Sequence, residues 1–243
     1  MSSLQPVHAW DEPEGIAPRG TLVLLSGRGE HGGVYERFGS RIAADGYRVR
    51  ALADPSPAPD TVTDQAAKLL RDETLPGPRV LVGSDTGALY AASLAARGTP
   101  GLDGLILAGL PTAPHSGAAT PDWDAELDQR TACPTHRGRL ASDDTFRRGV
   151  LTTTAPADLP ALEGISVPVL ALHGADDTVS PLRVAGRAYR ALPGVELVSL
   201  AGTRHDALND VTHRTAAATI VLFLERLRLS PGLAPIAVRE SLV

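Results

Sequence analysis

The clearest chemical pattern in the chain lies in Gly83-Ser84-Asp85-Thr86-Gly87, which joins a short apolar run to a helix-like stretch. Glycines two residues before and two residues after Asp85 are typical of a strand-to-helix turn so tight that only small neighbours fit. The central residue of such a turn is strained and accessible to a reaction partner, and a carboxylate there is a candidate nucleophile. If Ser84 were the central residue, Val82 and Thr86 would occupy the two glycine positions, and both are too large for such a tight turn. We therefore predict Asp85, rather than Ser84, as the central residue.

Two later polar segments supply partners for this carboxylate. Asp177 lies in Gly174-Ala175-Asp176-Asp177 after one apolar run, and His205 lies in Gly202-Thr203-Arg204-His205 after the next. A histidine oriented by a carboxylate can move a proton to or from a reacting group. We predict Asp85, Asp177 and His205 as the catalytic residues. A cap on the following helix for Asp177 and a surface-loop position for His205 are the alternatives.

These segments resemble the α/β-hydrolases of the monoacylglycerol-lipase and lysophospholipase type. The resemblance rests on Gly27-Arg28-Gly29-Glu30-His31-Gly32-Gly33, on His173-Gly174-Ala175-Asp176-Asp177 and on Gly202-Thr203-Arg204-His205-Asp206. It spans about residues 20–228 except for the lid insertion, and the chain order of nucleophile, acid and histidine is that of the family. The resemblance implies that Asp177, more than Asp176, orients His205 as the base. It also implies that the backbone N–H groups of Arg28 and Thr86 form the oxyanion hole.

The chain departs from that family at two positions. Ser26 stands where the family usually has a histidine, and Asp85 stands where it has the nucleophilic serine. An aspartate there resembles epoxide hydrolases and haloalkane dehalogenases, which form an alkyl-enzyme ester that a histidine-activated water hydrolyses. Those enzymes usually carry tryptophan where this chain has Thr86, and epoxide hydrolases use lid tyrosines, whereas residues 111–165 contain no tyrosine.

Alternating strand and helix patterns must position these residues. Near-continuous apolar runs predict strands buried on both faces of a parallel sheet, and the amphipathic stretches between them predict helices. The predicted strands are 21–26, 47–53, 79–83, 102–109, 167–173 and 195–200, and the predicted helices are 34–45, 61–74, 86–97, 182–192 and 211–228. We therefore expect the α/β class: one α/β-hydrolase domain over residues 1–243, with a mostly parallel sheet and helices on both faces.

Residues 111–165 interrupt this alternation and are predicted to form a short lid insertion. Two short helices are expected in it, at 123–130 and 143–151. We predict that Trp123 and Phe146 close the lid over a substrate pocket. Cys133 and His136 form a pair of potential metal ligands, but two ligands without nearby partners are too few, so no metal and no cofactor are predicted.

Composition excludes several classes of function. The chain has 243 residues, is 43% hydrophobic and carries a net charge of −5, so it lacks the basic surface of a nucleic-acid-binding protein. No apolar run is long enough for a membrane span, and no secretory signal begins the chain, which predicts a cytoplasmic protein. The single cysteine excludes an internal disulfide. The tail after Ser230 has no clear periodicity. It could be exchanged between two copies of the chain, so a homodimer is possible.

Three functions follow from these residues. The first is cofactor-free hydrolysis of a small-molecule ester, epoxide or similar electrophile by an Asp-His-Asp triad. The second is acid–base catalysis on the same fold, in a lyase, cyclase or isomerase without a covalent intermediate. The third is a non-catalytic binding module that has lost its serine. Ser26, Arg28 and Thr86 are predicted to line the oxyanion and substrate site, with Arg28 either binding an anionic group or pointing to solvent.

Overall fold

A computed structural model describes residues 7–111, 122–151, 153, 161–238 and 240 of the chain. The strands are β1 (His8–Trp10), β2 (Gly20–Leu25), β3 (Tyr47–Leu52), β4 (Arg79–Ser84), β5 (Gly104–Ala108), β6 (Val169–Gly174) and β7 (Glu196–Leu200). The α-helices are α1 (Glu36–Ala44), α2 (Pro59–Arg71), α3 (Thr86–Ala96), α4 (Trp123–Arg130), α5 (Pro134–Ser142), α6 (Leu182–Tyr189) and α7 (His213–Leu229). Short 3₁₀ turns lie at Gly32–Tyr35 and Leu162–Gly164.

The seven strands form one sheet in the order β1-β3-β2-β4-β5-β6-β7. Every neighbouring pair from β3 to β7 is parallel, and only β1 runs antiparallel, against β3 at the sheet edge. Strands β2, β5 and β6 are buried at every residue, as their continuous apolar runs predict. The predicted α/β class and mostly parallel sheet are therefore confirmed.

Two hydrophobic cores lie against the sheet, one on each face. One contains residues of α1 and α7 beside alternate residues of the strands, and the other contains residues of α2, α3 and α6 beside the intervening ones. Helices on both faces explain why the central strands show no polar alternation, because both faces of each strand are covered.

The structure differs from the prediction at two places: one strand was missed, and one predicted helix is absent. Strand β1 was not predicted, because three partly exposed residues at a sheet edge leave no apolar run to recognise. The predicted helix at 143–151 is absent: residues 143–151 form turns, and the second helix of the insertion is α5, which begins directly after Cys133. Proline at the first helical position starts α5, since its missing N–H is not needed there.

The predicted insertion joins β5 to β6. Helix α4 occupies the predicted range, with Asp122 accepting a hydrogen bond from the Ala125 N–H as its N-cap. Residues 112–121, 152 and 154–160 of the predicted lid lie outside the described residues. Within the described part of the chain, no helix combines the length and apolar character that crossing a bilayer requires.

Candidate active site

The turn between β4 and α3 has the geometry that its glycines predict. Asp85 adopts φ 49° and ψ −124°, a backbone conformation that residues other than glycine rarely adopt. A Cβ atom at Gly83 would lie 2.4 Å from the carbonyl oxygen of Gly87, and one at Gly87 would lie 2.3 Å from that of Leu25. Ser84 is the last residue of β4, so the frame centred on Asp85 is the one the fold uses.

The structure brings the three predicted catalytic residues together. His205 Nδ1 lies 2.8 Å from Asp177 Oδ2, and His205 Nε2 lies 3.1 Å from Asp85 Oδ1. All three side chains are buried. The contact of Nε2 with Asp85 is close but poorly aligned for a hydrogen bond, so Nε2 has no well-directed partner among the described residues.

Asp177 does not cap α6, whose N-cap is Pro181 without a side-chain hydrogen bond, so that alternative was wrong. Its Oδ1 accepts hydrogen bonds from the N–H groups of Val179 and Ser180, each at 2.8 Å, and thereby holds the turn before α6. Its Oδ2 is left to face His205. Because one oxygen fixes the carboxylate to the backbone, the other has a defined direction toward the imidazole.

Arg28 binds Asp85 directly. Its Nε donates to Asp85 Oδ2 at 2.8 Å, and its terminal NH2 group donates to Oδ1 at 2.7 Å, which forms a bidentate pair. Its other amino group donates to the carbonyl oxygen of Thr153 in the insertion at 2.6 Å. The side chain is 3% exposed, so the alternative in which Arg28 points to solvent was wrong. The anionic group that it binds is the protein's own Asp85.

The other predicted oxyanion and substrate residues have different surroundings. The backbone N–H of Arg28 donates to Asp85 Oδ2 at 2.9 Å, so the predicted oxyanion donor holds the aspartate itself. Thr86 begins α3, and its hydroxyl lies 3.1 Å from that of Ser56. The hydroxyl of Ser26 donates to the carbonyl oxygen of Leu52, which ties β2 to β3. Ser26 therefore has a structural partner, and its contact with a substrate remains a prediction.

The charges of this buried group determine one another. Burial alone would raise the pKa of Asp85, but Arg28 and then His205 outweigh it and hold that pKa well below its usual range. Burial would lower the pKa of His205, but Asp177 and Asp85 raise it to about 10. At neutral pH the group thus contains two cations, Arg28 and His205, and two anions, Asp85 and Asp177. Its net charge is zero.

A second buried histidine, His173, supports the acid. Its Nε2 lies 2.6 Å from the carbonyl oxygen of Ser180 and 3.3 Å from Asp177 Oδ2. Its Nδ1 lies 2.8 Å from the hydroxyl of Tyr189. The carbonyl can only accept, which places a proton on Nε2 and leaves Nδ1 to accept from Tyr189. No role was predicted for His173, although it belongs to the motif that contains Asp177. Its position near the end of β6 could have indicated one.

Arg130, at the end of α4, connects the insertion to both reactive loops. Its fully buried guanidinium donates to the carbonyl oxygen of Arg28 at 2.8 Å and to Glu126 at 2.9 and 3.1 Å. The backbone carbonyl of Arg130 accepts from the N–H of Asp206 at 2.9 Å, and that of Gln129 accepts from the N–H of His205 at 3.4 Å. The end of α4 therefore contacts both the oxyanion loop (residues 27–30) and the histidine loop (residues 201–206).

Trp123 and Phe146 pack against each other, with ring centroids 5.5 Å apart. Phe146 is buried with the guanidinium of Arg130 4.9 Å from its ring, and Arg148 covers Trp123 at 4.7 Å. These contacts make both rings part of the packing of the insertion. Their predicted role in closing a substrate pocket stays a prediction.

One cluster of potential metal ligands occurs among the described residues. Single ligand atoms of Glu30, His136 and Asp206 lie within 4.8 Å of one another. The guanidinium of Arg130 already supplies positive charge there, 3.5 Å from Glu30 and 3.8 Å from Asp206. We therefore assign no metal to this cluster. Cys133, the other residue of the predicted pair, instead has its sulfur 3.4 Å from Arg37.

The fold of the chain has counterparts in solved structures. The chain is similar to the monoacylglycerol lipase of Paleococcus ferrophilus (17% identity, 93% of this chain and 98% of that chain, TM-score 0.72). It is also similar to a thermophilic esterase from Thermogutta terrifontis (19%, 91% and 94%, TM-score 0.70) and to the enol-lactonase of Burkholderia xenovorans LB400 (19%, 90% and 96%, TM-score 0.67). No protein-family profile and no curated protein sequence matches the chain. At these identities the similarity shows the α/β-hydrolase fold, which confirms the predicted fold.

Proposed function

We propose that this protein is a cofactor-free hydrolase that acts on a small-molecule electrophile through Asp85 as nucleophile, with His205 and Asp177 as its proton-transfer pair. One observation carries the proposal: the Asp85 carboxyl group occupies the strained turn and lies 3.1 Å from His205, whose other ring nitrogen lies 2.8 Å from Asp177. The fold shared with a lipase, an esterase and a lactonase supports hydrolysis as the reaction class. Fold alone does not assign a substrate.

The first step follows from the two oxygens of Asp85. Oδ2 is held by the backbone N–H and the Nε of Arg28. Oδ1 faces His205 and, once the terminal amino group of Arg28 releases it, attacks a saturated carbon of the substrate. The bond from that carbon to the leaving group breaks, and its electron pair stays on the leaving group. A carboxylate suits saturated carbon, as in an epoxide, because attack on an acyl ester would instead form a reactive anhydride. As Asp85 loses its charge, Arg28 becomes free to stabilise the anionic leaving group.

The second step uses the change in charge that the first step produces. The anionic leaving group takes the proton of His205, whose pKa esterified Asp85 no longer helps to raise, and His205 becomes a base. Neutral His205 takes a proton from water, and the resulting hydroxide attacks the carboxyl carbon of the ester. The N–H of Arg28 stabilises the oxyanion. The bond to the product oxygen breaks, and His205 returns the proton to that oxygen. The carboxylic acid of Asp85 then passes its proton to His205, which restores the carboxylate and the protonated histidine.

A specific observation favours acid–base catalysis as the second candidate. Arg28 covers both oxygens of Asp85, which lowers the nucleophilicity of the carboxylate in the free protein. His205, with a pKa of about 10, is then an acid at neutral pH. In that mechanism His205 donates a proton to a substrate, Asp85 accepts one from it, and no bond to Asp85 forms.

Oxygen labelling distinguishes the two candidates. The wild-type protein is incubated with a terminal epoxide such as styrene oxide in H₂¹⁸O over several turnovers, and its peptides are analysed by mass spectrometry. We expect ¹⁸O in the peptide that contains Asp85, because water attacks the carboxyl carbon. Asp85→Asn should give neither turnover nor label, whereas the neighbouring Ser84→Ala should retain both. Turnover without label supports acid–base catalysis, and turnover unchanged in Asp85→Asn contradicts both mechanisms.

A further inference from the structure

A cavity of about 390 Å³ lies between α1 and α5, apart from Asp85. Its buried floor contains Val34, His136 and Asn209, and the half-buried side chains of Arg37 and Arg139 form its walls. Apart from Val34, the lining residues are polar or charged, and its exposed rim consists of Glu36, Ser40 and Thr135. A concave surface with convergent polar groups is the usual form of a small-molecule site.

The two arginines of this cavity are not neutralised equally. Arg139 pairs with Glu36 at 2.7 Å, but that carboxylate is 60% exposed. Arg37 donates to the carbonyl oxygen of Asn209 and to the sulfur of Cys133, and it forms no ion pair with a carboxylate of the described residues. The buried Nε of Arg139 also has no hydrogen-bond partner in the described part of the chain. The cavity therefore combines excess positive charge with an unused donor.

Arg37 also lies close enough to His213 to act on its charge, together with two further arginines. Burial and then repulsion from Arg37, Arg41 and Arg214 lower the pKa of His213, the first residue of α7. Like charges within a folded protein repel one another, so a bound anion at this place would reduce their repulsion. The net charge of the whole chain is −5, which makes this local excess of positive charge distinctive.

We propose that this cavity binds a small oxyanion, the phosphate or carboxylate group of a metabolite, between Arg37 and Arg139. The planar guanidinium groups provide the paired donors that recognise such an anion, and the hydroxyl of Thr135 is a further donor at the rim. This site is separate from the reaction proposed for Asp85, and its occupancy can be measured whether or not that reaction occurs.

Inorganic phosphate and acetate serve as probes in isothermal titration calorimetry at constant ionic strength. We expect saturable binding of at least one of them to the wild-type protein, and a response to only one identifies which oxyanion fits. Arg37→Gln/Arg139→Gln should weaken that binding by about tenfold or more, because both charged donors are lost. Arg183→Gln/Arg187→Gln removes the same charge from exposed positions of α6 and should leave it unchanged.

A second pair of variants tests the proposal even if the double arginine variant does not fold. Ser40 is exposed on α1 at the rim, so Ser40→Glu places a carboxylate at the cavity mouth without disturbing the core. We expect Ser40→Glu to weaken binding about tenfold and its neutral control, Ser40→Gln, to retain it. No saturable binding of either probe to the wild-type protein, or equal binding by Ser40→Glu and Ser40→Gln, would overturn the proposal.

Discussion

The ion pair of Arg28 with Asp85 makes a quantitative prediction about stability. In the wild-type protein two side-chain hydrogen bonds, at 2.7 and 2.8 Å, join groups that are 3% and 2% exposed. Arg28→Gln leaves the Asp85 charge buried without its partner, and Asp85→Asn leaves the Arg28 charge in the same position. The double variant removes both charges, and the remaining pair of His205 with Asp177 is again neutral overall.

The expected magnitudes follow from this geometry. Removing one partner of a buried pair costs about 3–5 kcal/mol of unfolding free energy, because the other charge is left uncompensated. Two unit charges about 4 Å apart at an effective dielectric constant of about 20 attract by about 4 kcal/mol, which agrees with that range. We therefore expect each single variant to lose at least about 3 kcal/mol. The double variant should lose less than the sum of the two, with a coupling energy of about 3 kcal/mol.

Urea denaturation at pH 7 of the wild type, both single variants and the double variant measures this cycle. Arg48 and Glu12 form a matched control: their bidentate pair has nearly the same distances, 2.7 and 2.8 Å, but Arg48 is 27% exposed. The control cycle should give a coupling energy of about 1 kcal/mol or less, as solvent-exposed pairs do. Similar small coupling in both cycles would refute the conclusion that Asp85 is held as an ion by Arg28.

Three further predictions concern the groups around this pair. Folding raises the pKa of His205 from 6.5 to about 10, so its contribution to stability is complete below about pH 6.5 and is lost as the pH rises toward 10. Unfolding at a series of pH values should show this decline and His205→Gln should flatten it, whereas a flat wild-type profile above pH 8 would contradict it. Glu30, whose pKa burial and Asp206 raise to about 8, adds a decline between about pH 4.5 and 8 that Glu30→Gln should remove. Arg130→Met should speed amide hydrogen exchange in both the oxyanion loop and the histidine loop, and an effect on neither would contradict its positioning role.

The sheet and the turn at Asp85 could be predicted from the sequence because both depend on local rules. Continuous apolar runs identify the buried strands, and the spacing of Gly83 and Gly87 reflects a close approach of β4 and α3. The short edge strand β1 and helix α5 could not be placed in this way. A three-residue strand has no periodicity, and α5 follows Cys133 in a stretch whose weak apolar pattern does not separate helix from turn.

Contacts between side chains distant in sequence were the harder part of the site to predict. The positions of Asp177 and His205 could be predicted, because both follow strand ends that meet at one edge of the sheet. The sequence did not determine the partner of Arg28, since its guanidinium could point either to solvent or to an anion. Arg130 showed no signal at all, because a single arginine at the end of a polar helix is usually exposed.

The role of α4 follows from these distant contacts. Arg130 and Gln129 hold the oxyanion loop and the histidine loop through one side-chain and two backbone hydrogen bonds. Lifting α4 would break all three hydrogen bonds and release both loops. The contact of Arg28 with the Thr153 carbonyl, at 2.6 Å, belongs to a different part of the insertion and can break without moving α4. Breaking that one hydrogen bond would therefore loosen Arg28 and leave the three hydrogen bonds of α4 in place.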